Sequence, residues 1–342
     1  MTFIRHGNLK ESESNGRTVV LALGGNAITS EGQSGTYEEM LENCNVMAKS
    51  ICALYDAGWR IVITHGNGPQ VGNFSIQQDA GAQQVPIQPL HALVAMTQGM
   101  IGHLIETALR NEGEGRFTSV VFIGTHVLVD PADGAFAKPT KPIGIFYTKG
   151  EAAALIRDSG WQMVEDSGRG YRRVAASPKP KMILESGAVS SLIADGYLVI
   201  AAGGGGIPMV ETNGVLAGVE AVIDKDHAAA LLALSVGADA LVLVTGVDTV
   251  MLDFGKPTQR ELHEVCAEDL SRYFEEGQFP PGSMGPKVEA ALAFVNSGNG
   301  MAVITSARLL ATALASQSQV GTRIISNTSP MRVSIEGSTS YS

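Results

Sequence analysis

Six short apolar runs, each ending in glycine or a small polar residue, constrain this chain most: "TVVLALGGN", "RIVITHGNG", "SVVFIGTHVLVD", "YLVIAAGGGG", "ALVLVTGVD" and "MAVITSA". Unbroken Val/Ile/Leu runs of this length read as strands buried on both faces, as in a parallel sheet. Helix-like segments separate them, at about 37–57, 90–112, 148–158, 184–195, 224–236 and 286–297. The alternation predicts an α/β chain, a three-layer α/β/α sandwich around a mainly parallel open sheet. A last strand is expected at "GTRII". With 342 residues the chain can bury a large core as one big domain or two lobes.

One region breaks the rhythm. Residues 130–180 run from "DPADGAFAKPTKPIG" to "EDSGRGYRRVAASPKPK". Their proline and charge argue against a buried strand or long helix at either end. We expect a small protruding subdomain there, leaving the sheet edge as a lid.

In open α/β sheets, ligands bind outside the carboxyl ends of the strands. The loops "GGN", "HGNGP", "GGGG" and "TGVD" should therefore meet on one rim. Glycine lets backbone N–H groups approach an oxyanion, and a following helix N-terminus favours negative charge. A single Gly pair after a strand is usually only a tight turn, but three such loops on one rim make an anion-binding floor. No GxxxxGK[ST] loop is present, and no GxGxxG follows the first strand. HExxH, GxSxG and HRD-type patterns are also missing, and the seven histidines are scattered.

The net charge is −10, so neither nucleic acid nor an anionic membrane is an expected partner, and an anionic substrate must be held by local positive charge. Three lysines stand in strand-end or Gly/Pro-shaped contexts: Lys141 in "PTKPIG", Lys225 in "IDKD" and Lys287 in "GSMGPK". Lys225 is held between two aspartates at the mouth of a helix. Point charges of this kind suit phosphoryl transfer, which needs two anions brought together and little covalent help. Three cysteines without a CxxC pairing fit a reducing cytoplasm, and no apolar run is long enough to span a membrane. The start has no signal-peptide pattern. Residues 1–17 and the Ser/Thr-rich 327–342 are expected to be flexible extensions.

The blocks "LALGGNAI", "THGNGPQVGN", "AMTQGMIG", "DPADGAFAKPTKPIG", "EDSGRGYRRV", "SPKP", "GGGGIP", "GVEAVIDKD", "TGVD" and "PGSMGPK" closely resemble, in order, the motifs of carbamate kinases in the amino acid kinase superfamily. The resemblance runs from about residue 18 to 326. It implies a cytoplasmic homodimer that moves a phosphoryl group reversibly between carbamoyl phosphate and ADP, with Mg²⁺ accompanying ATP or ADP. It implies a carbamate lobe over 18–196 and a nucleotide lobe over 197–326.

Roles carry over by motif. Gly24, Gly25 and Asn26 match the first phosphate-side loop. Gly66, Asn67 and Gly68 match the loop around carbamate and the moving phosphoryl group. Lys141 matches the lysine of the protruding subdomain, Lys225 and Lys287 the paired lysines, and Asp226 the aspartate that organises them. Gly203, Gly204, Gly205, Gly206, Asp224, Thr245, Gly246, Val247, Asp248, Ser283 and Met284 match the nucleotide side. No metal ligand of the chain's own is implied.

Three positions depart from the usual pattern: His91 for aspartate, His126 for glutamine, and Gly285 in "GSMGPK" for leucine. Two other readings stand beside this one: a kinase of another small carboxylate, and a weak paralogue that binds metabolites or regulates. The "PTKPIG" block argues against the first, and the presence of all three lysines against the second.

Overall fold

The computed structural model describes residues 16–326 except 31, 118, 167, 299 and 316–319. Both expected flexible ends lie outside the described residues, apart from 16 and 17. In chain order the structure begins with β1 (Thr18–Leu23), α1 (Tyr37–Asp56), β2 (Arg60–His65), α2 (Gly68–Gly81), α3 (Leu90–Gly113), β3 (Val120–Phe122) and β4 (His126–Val129). There follow α4 (Gly134–Ala137), β5 (Lys141–Tyr147), α5 (Lys149–Ser159), β6 (Met163–Glu165), β7 (Tyr171–Ala175) and β8 (Pro180–Ile183). Next come α6 (Ser186–Ala194), β9 (Leu198–Ile200), β10 (Ile207–Thr212), β11 (Val215–Gly218), α7 (Lys225–Ser235) and β12 (Ala240–Thr245). The chain closes with β13 (Val250–Leu252), β14 (Arg260–Leu262), β15 (Glu264–Cys266), α8 (Ala267–Glu275), α9 (Met284–Asn296), β16 (Met301–Ser306), α10 (Leu310–Ala313) and β17 (Thr322–Ile325).

The main sheet has the order β15-β17-β16-β12-β1-β2-β9-β3. Its neighbours are parallel except β16 and β17. Every residue of β1 is buried. Val20 and Ala22 pack toward Ala229 of α7 and Phe294 of α9. Val19, Leu21 and Leu23 pack toward Ile51 of α1 and Ile105 of α3. Alternate side chains thus feed opposite helical layers, and the unbroken apolar run is the signature of that double burial. The α/β/α sandwich is as expected. β9, just past the expected lobe boundary at 196/197, is hydrogen-bonded between β2 and β3.

Two local expectations need correction. "SVVFIGTHVLVD" is not one strand. β3 ends the main sheet, whereas β4 joins a second sheet of order β11-β10-β4-β8. The break is pinned by Gln98 of α3, which accepts from Thr125 N at 2.8 Å and donates to Thr125 O at 3.1 Å. The lid, too, is more ordered than its composition suggests. It carries a three-stranded sheet of order β5-β7-β6 and the helix α5, whose start has a Thr148/Glu151 capping box. Its root is buried: Ile143 and Ala175 join Val71, Leu93 and Val94 in a separate apolar cluster.

Candidate active site

The glycine loops meet at the carboxyl ends of β1, β2, β9 and β12. Gly24 N donates to Val244 O at 3.1 Å, and Gly66 N to Leu23 O at 3.0 Å. A side chain on Gly203 would strike the His65 ring, with its first carbon 2.3 Å from Nε2. One on Gly204, where φ is +66°, would sit 2.2 Å from Asn67 Nδ2. The tetraglycine turn is therefore fitted against the β2 loop by backbone contact that only glycine permits.

Above this floor α7 begins. Asp224 is its N-cap, accepting from Asp226 N at 2.8 Å and His227 N at 3.4 Å. Lys225 Nζ donates to Asp226 Oδ1 at 2.6 Å, and Lys287 Nζ, from α9, to Asp226 Oδ2 at 3.1 Å. Lys287 also reaches Ser283 O at 3.3 Å. Lys141 of the lid donates to Asp224 Oδ2. This is why a lysine lies between two aspartates: one caps the helix and takes the lid lysine, and the other spaces two lysines over the floor.

Burial opposes the charge on Asp226, but Lys225 and Lys287 outweigh it and hold the carboxyl below the usual range. Asp224 is likewise buried, and Lys141 again overrides the burial and lowers its pKa. Burial lowers the Lys225 pKa, with Asp226 offsetting part of that effect. His65, beneath the floor, is pushed down to about 4 by burial and by the Lys225 charge, and is neutral at pH 7.

These groups line a cavity of about 950 Å³. Gly25, Gly66, Asn67, Gly68, Lys141, Gly204, Asp224, Lys225, Asp226, Ser283 and Lys287 belong to its wall. The other expected residues, Gly24, Gly203, Gly205, Gly206, Thr245, Gly246, Val247, Asp248 and Met284, stand outside that wall, and the Asn26 side chain lies outside the described residues. Gly205 (φ +90°) is wedged against Ile223 O, and Asp248 binds Ser306 at 2.6 Å and pairs with Arg308. The wall also includes Pro280, Pro281 and Gly282, next to Ser283 and Lys287 in the chain, and Thr29, Gln70 and Asn73.

Sequence reasoning assigned no role to Arg169, Arg172 or Gln70, which also line the cavity. The two arginines stood in the "SGRGYRR" block, and Gln70 followed the second glycine loop in "HGNGPQVGN". Arg172 pairs with Asp166 at 3.2 Å, and both arginines lie over the Phe146 ring.

Glycine loops, two lysines on one aspartate and a lid lysine make an arrangement chemically suited to holding a phosphoryl group. The chain matches the amino acid kinase family over residues 17–306. It is 46% identical to the carbamate kinase of Thermococcus kodakarensis over 314 residues, 90% of this chain and 99% of that one. It belongs to the carbamate kinase family. The carbamate kinase of Clostridium perfringens is 47% identical, over 90% of this chain and 99% of its own. The structure of Giardia lamblia carbamate kinase bound to AMP-PNP matches with a TM-score of 0.84 and 42% identity, covering 92% of this chain and all of that one. As in the family, the chain is an ATP-dependent phosphotransferase. The motif resemblance implied that Asp226 organises Lys225 and Lys287, and in the structure both amines lie on its carboxylate.

Proposed function

We propose that this protein transfers a phosphoryl group reversibly between carbamoyl phosphate and ADP, forming carbamate and ATP. In the catabolic direction the carbamate then falls apart to CO₂ and ammonia. The observation that carries this reading is the Lys225–Asp226–Lys287 arrangement over the glycine floor, faced by Lys141 from the lid. In the ATP-forming direction the P–O bond to carbamate breaks as a β-phosphate oxygen of ADP bonds to phosphorus. The carbamate leaves as an anion, so no proton is required from the protein. The lysines neutralise charge on the moving group, and the floor N–H groups hold its oxygens.

The nucleotide occupies the end formed by Ser283 and Lys287, in the lobe 197–326. Carbamate occupies the end by Gly66–Gly68, in the lobe 18–196. AMP-PNP bound to the Giardia relative supports nucleotide binding as such. Mg²⁺ fits as an ion that comes with the nucleotide phosphates. Among the described residues no group of three His, Cys, Asp or Glu side chains could hold one. Asp224 and Asp226 are already engaged by lysines. Magnesium would supply charge neutralisation at the phosphates. A cytoplasmic homodimer, implied by the resemblance, is part of the same proposal. The three free cysteines fit a reducing compartment, and light scattering reads the assembly.

The test is ATP formation from ADP and carbamoyl phosphate, followed with a coupled glucose-phosphorylating enzyme. Turnover with carbamoyl phosphate well above that with other small acyl phosphates is expected. Its absence would reject the assignment.

A further inference from the structure

The block "AMTQGMIG" lies within α3 and stands outside the cavity wall. Among the buried residues of α3, Thr97 and Gln98 alone carry polar side chains, and the rest are apolar or glycine. Two adjacent buried polar groups in such a helix cost desolvation unless both are hydrogen-bonded. Both reach across to loops at the strand ends. Gln98 spends its two amide protons on Gly203 O at 2.9 Å and Thr125 O at 3.1 Å, and its carbonyl accepts from Thr125 N at 2.8 Å. Thr97 takes the β2 loop, accepting from Asn67 Nδ2 at 2.8 Å. Thr97 and Asn67 are both buried.

The direction of that bond is decided by a third group. The Thr97 hydroxyl has one proton and gives it to Val94 O at 2.7 Å. Toward Asn67 it can only accept, so the Asn67 amide is held with Nδ2 against α3. Asn67 is also the N-cap of α2, where an asparagine side chain ordinarily accepts from the N–H groups of the first turn. Here it makes no such bond. The side chain is committed to α3 instead, while Asn67 stands in the cavity wall with Gly66 and Gly68.

We propose that Thr97 is a positioning residue for the phosphoryl transfer. From outside the cavity it fixes the Asn67 amide, and with it the Gly66–Gly68 loop on which the carbamoyl end is placed. Without this anchor the Asn67 side chain is free to turn back onto the α2 cap, the bond its type ordinarily makes. The inference rests on the carbamate kinase reading above.

ATP formation and calorimetric ADP binding are measured for the parent, Thr97→Val, Thr97→Ser, Asn67→Ala and the double variant Asn67→Ala with Thr97→Val. Valine keeps the branched shape of threonine and removes the acceptor. In Thr97→Val, kcat/KM for carbamoyl phosphate should fall by roughly tenfold, as for one lost buried hydrogen bond, while ADP affinity stays within about twofold. Thr97→Ser keeps the oxygen and should stay within about threefold of the parent. Once Asn67 is alanine, Thr97 has nothing to hold. Adding Thr97→Val to Asn67→Ala should then change kcat/KM by less than about twofold. Parent-like rates in Thr97→Val would overturn the proposal. So would a serine variant as impaired as the valine one, a loss that recurs undiminished in the Asn67→Ala background, or an equal loss of ADP binding. A parent that binds ADP but makes no ATP from carbamoyl phosphate would instead reject the underlying reading and this inference with it.

Discussion

Lys141 Nζ donates to Asp224 Oδ2, joining the lid strand β5 to the N-cap of the helix that carries Lys225 and Asp226. The other oxygen of the same carboxylate caps α7 through Asp226 N. One aspartate therefore ties the lid to the turn that carries Lys225 and Asp226. On the proposed reading an arriving phosphoryl anion would compete with it for Lys141, which lines the same cavity.

Lys141→Ala should cut turnover with carbamoyl phosphate while ADP affinity, measured by calorimetry, stays near the parent's. It should also destabilise the substrate-free protein, since the Asp224 side chain is only 10% exposed and would be left unpaired. Because Lys141 is itself 35% exposed, the loss should be about 1–3 kcal/mol, less than for a fully buried pair. Lys141→Ala with Asp224→Asn should recover much of that stability in urea unfolding, because asparagine still caps the helix. A single variant as stable as the parent would mean that the pair does not hold the lid.

Asp226→Asn keeps the shape and removes the charge shared by Lys225 and Lys287. Turnover should fall by about 10²–10³, as should that of Lys225→Ala. Burial already lowers the Lys225 pKa, and losing Asp226 removes what opposes it. Lys225 should then lose its proton at lower pH, and the alkaline limb of the rate profile in Asp226→Asn should move to lower pH than in the parent. Matching profiles for parent and variant would contradict this.

Gly72→Ala should lift the lid. Its first side-chain carbon would lie 1.9 Å from Gly144 Cα on β5, backbone against backbone. KM for carbamoyl phosphate should rise and kcat fall, with nucleotide affinity little changed. Gly81→Ala on the same helix meets only Val85 Cγ2, at 3.7 Å, and should leave the kinetics alone. Identical kinetics in parent and Gly72→Ala would show that the lid does not seat there during turnover.

His65 gives acid sensitivity of a defined sign. Its folded pKa of about 4 lies below the ordinary histidine value near 6.5. As pH falls through that window the unfolded chain takes up a proton that the folded chain refuses, so stability is lost between about pH 6.5 and 4. The depressed carboxylates Asp224 and Asp226 lose their contributions only at lower pH, below the ordinary aspartate value. His65→Asn should flatten the melting temperature against pH in the upper window. An unchanged slope would assign it to other groups.

Much of the architecture was legible because burial leaves a local mark. A strand covered on both faces must be apolar at every position, and β1, β2, β12 and β16 announce themselves that way. The helix start at Asp224 was equally local, since an aspartate caps the turn that follows it. α2 escaped notice because "GNGPQVGN" reads as a loop. Proline is tolerated at the start of a helix, and Gly72 is required by its neighbour Gly144 rather than by the helix. The split of "SVVFIGTHVLVD" was hidden for a similar reason: both halves are apolar, and only Gln98, on α3, decides where the chain changes sheet.

The sequence by itself determined the layers, the glycine loops and the three lysines, because hydrophobic periodicity and backbone freedom act between near neighbours. Tertiary structure alone decided which charges meet. Lys287 reaches Asp226 across 61 residues and Lys141 reaches Asp224 across 83. Those distances close only because β1 lies between β12 and β2 and the lid folds back on α2. Strand order and side-chain direction come from global packing, so a pairing of this kind has no signature in any short stretch of the chain.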